Sequence, residues 1–535
     1  MRLLKLELLG DKGFNSLPKN FTIKFSDDQI DKVHPKCIIG LNGSGKSNLL
    51  ELISEIFFSL ETYLDQLERN SLKLDDSFSY AIEYLLPISM VTHLLQLGYS
   101  EEEKFVYVKI QKENGKYPVF YIKKVHESEK HFKEENERLR FLLPKKIIGY
   151  SSGLNELISN PYLKMKFQAF KDFEESNKNN ISYHFDSSRL FFMNYESNSL
   201  IVISNYLLSD KNKLDIFKEE LKIESLNSFR IKVRFQDYEN KSILLPKEIM
   251  NDIEKLKICA TIFYDKGTGN KRELVMDFYV DESLKKAFKV HFETPFNLFK
   301  SLYRLDLLNI NIVPKSIRNQ ILKASRTVNI SKMIPCTPSK QLFEFEYIKF
   351  EKVGITDAIN YENLSDGEHQ FLQVFGSLSM LNDEGNLFLL DEAETHFNPK
   401  WRSKMISIID GLFSDNANVL HQEIILTTHS PFILSDTKKE DIFKFKKVNG
   451  KVKYENYKNS DVITYGASIS YLLEEFFDQR ASMGSMSHKE LKNIIENIET
   501  LDDYVEAKIK LNKLGDSIEK FDAFNFLNRK KKELE

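Results

Sequence analysis

Cysteine is nearly absent from this 535-residue chain: Cys37, Cys259 and Cys336 stand far apart, without CxxC or Cys/His spacing. That excludes a disulfide framework and a structural zinc site and points to a reducing compartment, the cytoplasm. An excess of charge of one sign is missing too, since 76 Lys and Arg face 79 Asp and Glu for a formal charge of −3. The bulk field neither draws the chain to nucleic acid nor keeps it away, so such binding has to come from a local patch. Long apolar runs are lacking. The longest window, residues 81–98, is interrupted by Glu83, Pro87, His93 and Gln96, and MRLLKLELLG lacks a signal-peptide layout. Neither a membrane span nor export is expected. Internal repeats, low-complexity tracts and sustained heptads are absent, which argues against a solenoid and against a long coiled-coil arm.

What is present is enough for a large core and two or three domains: 41% of residues are hydrophobic and 29% charged. LLKLELLG and FTIKF read as short strands and KCIIG as a buried one. Leu49, Leu50, Leu52, Ile53, Ile56 and Phe57 then recur at helical spacing, and the helix is expected to continue to about Glu68. KFVYVKIQKENGKYPVFYIKKV reads as a hairpin whose tight turn takes its positive φ angles at Asn114 and Gly115. From about 157 to 341, helical segments (161–177, 210–222) alternate with the strand-like FRIKVRF, CATIFY and ELVMDFYV, with a hairpin turn at KGTGNK. That mixture predicts a compact inserted lobe. The last 75 residues are helical, with Leu491, Ile494, Ile495, Ile498, Leu501 and Val505 at helical spacing.

Glycine is scarce, 20 residues of 535, yet it clusters in GLNGSGKS, Gly40 to Ser47, which fits G-x-x-x-x-G-K-[ST] without a mismatch. In that pattern backbone N–H groups close around phosphate oxygens, Lys46 reaches the β/γ-phosphates, Ser47 ligates Mg²⁺, and the next helix presents its positive end. The ATP-binding set is therefore Asn42, Gly43, Ser44, Gly45, Lys46, Ser47 and Asn48. Far downstream, NLFLLDEAETHFNP gives a buried strand that delivers Asp391 and Glu392 to the mouth of a parallel sheet. Asp391 suits Mg²⁺, and Glu392 suits orienting and deprotonating water. EIILTTHSPFIL gives another strand ending at His429, which can sense a γ-phosphate by hydrogen bonding. The catalytic candidates are Glu392, Lys46 and His429, and the metal candidates Ser47 and Asp391.

YENLSDGEHQFLQ raises a second question. Ser365, Asp366, Gly367 and Glu368 open a helix, and two readings stand: a plain capping box between Ser365 and Glu368, or an anion site at an exposed helix N-terminus.

Taken in order, GLNGSGKS, LSDGEHQ, LFLLDE, AETHFNP and TTHS resemble the Walker A, signature, Walker B, D-loop and H-loop of ABC-type ATPase heads of the RecF, SMC and Rad50 kind. The resemblance covers roughly residues 1–60 and 355–435. It implies an α/β fold: an ABC-type P-loop ATPase head with a mixed or parallel central sheet, an inserted α+β lobe and a helical C-terminal region. The expected division is 1–155 for the first half of the head, 156–345 for the lobe, 346–455 for the second half, and 456–535 for docking a partner or a second protomer. It also implies that Ser365, Asp366, Gly367 and Glu368 act in trans on ATP held by a second copy, in a head-to-tail homodimer or a higher even oligomer. The signature departs from the usual pair of adjacent glycines, having Asp366 and Gly367 there, and it has Glu368 where glutamine is common. Hydrolysis is therefore expected to be slow. No glutamine follows Ser152 directly, so the Q-loop is assigned only to the region GYSSGLNE.

GYSSGLNE, LSDGEHQFLQ, DEAETHFNPKWR, THSPFILSD and YGASISYLLEEFF further resemble PtuA-type ATPases of Septu anti-phage systems, including retron-attached versions. That resemblance implies ATP and Mg²⁺ as cofactors and an HNH-type nuclease as partner. For a retron version it adds a reverse transcriptase with multicopy single-stranded DNA. The chain itself shows no HNH pattern and no Toprim-type acidic cluster after His429, so nucleic acid is expected to be met through partners. Two alternatives stand beside this reading. One is a RecF- or SMC-like repair ATPase that binds DNA directly through Lys123, Lys124, Lys145, Lys146 and the lysines from Lys164 to Lys171. The other is an ATP-dependent scaffold with little turnover, motivated by Asp366 and Glu368.

Overall fold

The runs KCII, LFLLD and EIILTT are buried along their whole length, the mark of strands covered on both faces of a parallel sheet. In the computed structural model they are β3 (Lys36–Ile39), β15 (Leu387–Asp391) and β16 (Glu423–Thr428), at the centre of a seven-stranded sheet. The order is β18-β17-β3-β16-β15-β8-β9, with β8 (Ile147–Ser151), β9 (Leu190–Phe192), β17 (Ile442–Val448) and β18 (Lys451–Asn456). All neighbours run parallel except β17 and β18. Register decides what reaches the sheet's carboxyl edge. Asp391 lies opposite Thr427 on one side and Ser151 on the other, and Thr428 lies opposite Ile39, one residue before the glycine-rich loop. The structure describes all residues except 26–33, 75–76, 101–102, 153–155, 179–188, 237–242, 244, 268–271, 335–340, 382–384, 414–420, 479–482, 497 and 535. Cys336, most of the KGTGNK turn and the end of GYSSGLNE lie outside the described residues.

Helix α1 (Lys46–Glu68) ends where the periodicity predicts. Against it lies a six-stranded antiparallel sheet, β2-β1-β4-β5-β6-β7, formed by β1 (Arg2–Leu9), β2 (Thr22–Lys24), β4 (Ser79–Pro87), β5 (Phe105–Lys112), β6 (Val119–Lys124) and β7 (Lys133–Glu135). Ile53 and Ile56 share one core with Leu6, Ile82 and Val108 of this sheet and with Ile38, Leu389 and Ile425 of the central one. The helix is apolar over more than one stripe because both sides are covered. One expectation needs correcting. The β5–β6 connection is not a two-residue turn: pairing stops at Gln111 and Val119, and of the two turn residues only Gly115 has positive φ, at 69°.

The inserted region builds a third sheet, β11-β12-β10-β13-β14, from β10 (Ile223–Arg234), β11 (Ile262–Lys266), β12 (Glu273–Tyr279), β13 (Phe343–Lys352) and β14 (Ile359–Asn360). Phe229, Ile231 and Val233 of β10 point into the core. Arg230 and Arg234, on the other face, pair across the ladder with Asp277, Glu346, Glu273 and Glu344. Helices α2 (Asn160–Lys178) and α3 (Tyr195–Leu208) precede it. α3 lies so close to the helix Asp366–Met380 that a Cβ on Gly376 would come within 2.7 Å of Ile201. Near the end, Leu472 and Phe476 still belong to the main core. From Ser485 the helices Ser485–Glu496, Leu501–Asn512 and Ile518–Leu534 pack on one another around Leu491, Leu511 and Leu527. Among the described residues no helix is long and apolar enough to cross a membrane.

At the opposite edge of the central sheet, Lys36 pairs with Glu423 at 3.0 Å, both 1% exposed, and Glu423 also accepts from Leu3 N–H. Asp441, buried nearby, has its carboxyl pushed up by burial to about 7, with the attraction of Lys36 opposing. An unfolded chain ionises such a carboxyl near about 3.9. Between those values the folded form holds the extra proton, so this contribution to stability is full at low pH and lost as pH rises through about 7. Asp441→Asn is expected to flatten that fall, read as the difference in urea midpoint between about pH 5 and about pH 8.

Candidate functional site

The loop after β3 is shaped by three glycines with positive φ: Gly40 (145°), Gly43 (76°) and Gly45 (98°). At Gly40 the conformation also answers crowding, because a Cβ would sit 2.3 Å from the carbonyl oxygen of Phe445. Ser44 Oγ is buried with no hydrogen-bond partner among the described residues, as expected of a donor kept for an anion. Lys46 is 5% exposed, and its Nζ donates to the carbonyl of Gly40 at 3.0 Å and lies 2.8 Å from His429 Nε2. Burial pushes its ammonium down, against the attraction of Glu392, Asp391 and Glu394.

Register brings the second half of the site against this loop. Ser47 Oγ donates to Asp391 Oδ1 at 2.9 Å, and Thr427 Oγ1 donates to the same oxygen at 2.6 Å. Burial pushes the Asp391 carboxyl up, against those two hydrogen bonds. Among the described residues no group of three or more His, Cys, Asp or Glu could hold a metal alone. A hydroxyl beside a carboxylate suits Mg²⁺ that takes its remaining oxygens from phosphate and water. The backbone then turns sharply: Glu392 has φ 50°, a left-handed conformation that costs a non-glycine residue about 1–2 kcal/mol. Glu392 N–H donates to Thr427 Oγ1 at 3.0 Å, and the carboxylate comes 3.3 Å from His429 Nε2. The contact with His429 holds the Glu392 carboxyl below its ordinary value. His429 Nε2 thus faces a cation and a carboxylate at once. It can accept from Lys46 or donate to Glu392, one at a time.

Ser365 and Asp366 are exposed, at the N-terminus of the helix Asp366–Met380. Both halves of a capping box are present: Ser365 N–H donates to Glu368 at 2.8 Å, and Glu368 N–H donates to Ser365 Oγ at 3.3 Å. Lys352 Nζ reaches the other Glu368 oxygen at 2.6 Å. Burial pushes this carboxyl up, but the hydrogen bonds from Lys352 and Ser365 win and leave it below its ordinary value. The charge of Glu368 is therefore turned inward and paired. Gly367 is required by space, since a Cβ would come 2.8 Å from the carbonyl of His396 and 3.3 Å from Trp401. Gly367→Ala is expected to cost about 1–3 kcal/mol as overpacking, measured by urea unfolding, and to lower ATP turnover more than nucleotide affinity.

The structure thus gathers Lys46, Ser47, Asp391, Glu392 and His429 in one cluster, while Ser365 and Glu368 contact each other and Glu368 also contacts Lys352. Some members escaped the sequence reading. Glu394 is 5% exposed behind Glu392, accepts from Thr428 Oγ1, and has its carboxyl pushed up by burial. Gln370 joins three pieces, donating to Tyr150 Oη at 2.8 Å and accepting from His396 N–H at 2.8 Å. In the region left open for the Q-loop, Ser151 Oγ is 3.4 Å from Asp391, and Ser152 Oγ lies 2.7 Å from Thr395 Oγ1. A buried acid two residues beyond an Asp-Glu pair was the signal available for Glu394. Nothing in sequence spacing marks the others.

Residues 264–435 match the family described as "AAA domain, putative AbiEii toxin, Type IV TA system". Among solved structures, the SMC head domain from Thermotoga maritima is 12% identical, with 85% of this chain and 99% of that one covered, at a TM-score of 0.32. The Smc head domain with an extended coiled coil from Pyrococcus furiosus, bound to the C-terminal domain of ScpA, is 13% identical, with 86% and 97% covered, at 0.32. The recombination mediator RecF with ATP is 14% identical, with 85% and 97% covered, at 0.28. Strand order and the placement of the motifs at one sheet edge give the fold class: α/β, an ABC-type P-loop ATPase head.

Proposed function

We propose that the chain is a cytoplasmic ATPase subunit of an anti-phage defence system of the Septu or retron kind, whose copies close head to tail around Mg·ATP and control an HNH-type nuclease. The observation that carries the ATPase part is the meeting of Ser47, Asp391, Glu392, His429 and Lys46 at the end of β3, β15 and β16. Mg²⁺, held by Ser47 and Asp391, neutralises phosphate charge when bound. Lys46 pairs with the β/γ-phosphates. Glu392 orients water and takes its proton as the water oxygen bonds to the γ-phosphorus and the bond to the β,γ-bridging oxygen breaks, giving ADP and phosphate. His429, touching both Lys46 and Glu392, positions the two against each other. The exposed N-terminus at Ser365 supports completion of the site from a second copy, because a helix N-terminus favours an anion.

The nuclease and the defence role rest on the sequence resemblance. Direct DNA binding is less favoured by the side chains themselves. Lys123 is 6% exposed against Tyr107, Lys146 is 9% exposed over Phe191, and Lys166 is paired with Asp306 at 2.7 Å. Lys124 pairs with Glu103 and Lys171 with Glu175. A continuous phosphate-binding groove needs such cations free.

The test is isolation of the chain from its native host with whatever accompanies it. Recovery of an HNH-type nuclease in fixed ratio is expected. Recovery of the chain alone, binding duplex DNA with affinity that falls steeply with salt, would instead favour the RecF-like reading. Truncation after Asp478 is expected to keep ATP binding and lose the nuclease, because Leu472 and Phe476 stay in the core while the separate bundle is removed. Co-purification retained by the truncated chain would count against docking there.

A further inference from the structure

β11 (Ile262–Lys266) is one edge of the five-stranded sheet: β12 pairs with it along its whole length, and among the described residues no strand lies on its other side. The row of side chains facing the core runs Ile231, Met276, Phe263 across β10, β12 and β11. Ile231 and Met276 are fully buried, in one core with Ile253 and Leu256 of the helix Lys247–Cys259, but Phe263 is 50% exposed. The cover stops one strand short of the edge. On the opposite face Ile262 and Tyr264, beside Asp277 and Val275, are 57% and 42% exposed. Ile258 and Tyr279 flank the strand and are exposed too; Tyr279 N–H donates to Thr261 Oγ1 at 2.8 Å.

Single apolar residues on a surface need no explanation, but Ile258, Ile262, Phe263, Tyr264 and Tyr279 at one corner, on both faces of one strand, form the kind of patch that marks an interface. Edge strands are usually blunted by charge, proline, a bulge or a cover. β11 has an unbroken register with β12 and no proline, and its two charges stand at its last two positions, with Asp265 tied to Arg272 at 2.9 Å.

The unpaired backbone groups of an edge take up an extended strand. The side chains say which strand fits: one that is apolar on both faces at one end, with charge confined to the other. β11 is itself such a strand, and it complements its own reverse. In an antiparallel pair centred on Phe263, Phe263 faces Phe263, Ile262 faces Tyr264 on either side, and Asp265 faces Thr261, so that no like charges are opposed and a hydroxyl meets the carboxylate. Centred instead on Tyr264, the pair would set Lys266 against Ile262 and Asp265 against Phe263, which strips water from charges without giving them a partner.

We infer that the chain associates through β11 with a second copy of itself, antiparallel about a two-fold axis at Phe263, so that two five-stranded sheets become one continuous sheet. This face is separate from the closure around ATP proposed above. β14 is the opposite edge of the same sheet, four strand spacings or about 19 Å away, and it is β14 that leads into Ser365. Pairing at β11 therefore needs no nucleotide. A chain with two such isologous faces builds assemblies of even number.

Sedimentation of the full-length protein without nucleotide is expected to show a reversible dimer, so the outcome does not depend on the ATP-driven closure. Phe263→Glu, which sets two carboxylates against each other at the axis, is expected to weaken that dimer at least about tenfold. Ile262→Lys, on the other face, is expected to act in the same direction and keeps the test open should Phe263→Glu fail to fold. Phe263→Cys reads the register: directly opposed residues have Cα atoms about 4.5–5.5 Å apart, within disulfide reach, so mild oxidation is expected to link the chains in pairs. Lys266→Cys, placed opposite Ala260 and not opposite itself, is the control. A monomer at every concentration, unchanged association in the folded Phe263→Glu and Ile262→Lys variants, or cross-linking through Lys266→Cys as efficient as through Phe263→Cys would each overturn the inference. So would a chain that is monomeric alone and loses a co-purifying protein on Phe263→Glu, which would hand the edge to that protein.

Discussion

Glu392→Gln is expected to leave Mg·ATP bound while lowering turnover by about 10²–10⁴-fold, the usual contribution of a positioned general base. The substitution keeps shape and hydrogen bonding and removes only the negative charge that takes the proton. Two features of the site favour this assignment over the neighbouring acids. Asp391 is spent on Ser47 and Thr427 and sits deeper, at 5% exposure. Glu394 is buried against Thr428. Glu392 alone is carried outward by its left-handed backbone, to within 3.3 Å of His429. That hydrogen bond keeps its carboxyl low, so it is ionised at neutral pH and ready to accept. Single-turnover hydrolysis, run beside equilibrium binding of a fluorescent ATP analogue, separates the chemical step from affinity. Unchanged hydrolysis in the variant would remove Glu392 from the mechanism. Turnover in the parent protein, lost in Glu392→Gln, would exclude the scaffold reading.

The elements legible in the sequence are those in which local pattern and tertiary demand agree. GLNGSGKS needs positive φ at its glycines whatever surrounds it. The runs LFLL and IIL are apolar because both faces of the central sheet are covered, and so they announce themselves. Helix α1 ends at Glu68, where its periodicity fades. Features set by distant partners were hidden. Lys352, sixteen residues before Glu368, pairs with one of the two charges that made the signature look unfavourable. Of the lysines considered for DNA, Lys123 and Lys146 are packed on rings and Lys166 is paired with an acid, because long side chains bury their stems wherever an aromatic neighbour comes from another element. The hairpin turn was overread as well: Asn114-Gly115 permits a two-residue turn, but the strands separate earlier, at Gln111 and Val119. The expected slowness from Asp366 and Glu368 weakens with Lys352 in place, although Asp366 remains exposed.

Neither Lys46→Ala nor Ser365→Asp is expected to hydrolyse ATP alone, yet a mixture of the two proteins should regain roughly a quarter of parental activity if sites are shared between two symmetric copies. Asp is as good an N-cap as Ser; the change adds a negative charge at the point where the proposed partner's triphosphate would sit, and it also replaces the Ser365 hydroxyl that donates to Glu368 at 3.0 Å. In a mixed pair, one site combines the intact phosphate loop of the Ser365→Asp chain with the intact Ser365 of the Lys46→Ala chain. The other site carries both defects. Random pairing makes half of the dimers mixed, each with one working site of two. A chain that holds its own signature against its own nucleotide gives no such recovery, because each variant is then broken internally. Activity of the mixture, measured across mixing ratios, should peak at equal amounts. A flat baseline at every ratio would exclude sharing of the site between two copies, and undiminished hydrolysis by the Ser365→Asp protein alone would return NLSDGE to service as a capped helix start.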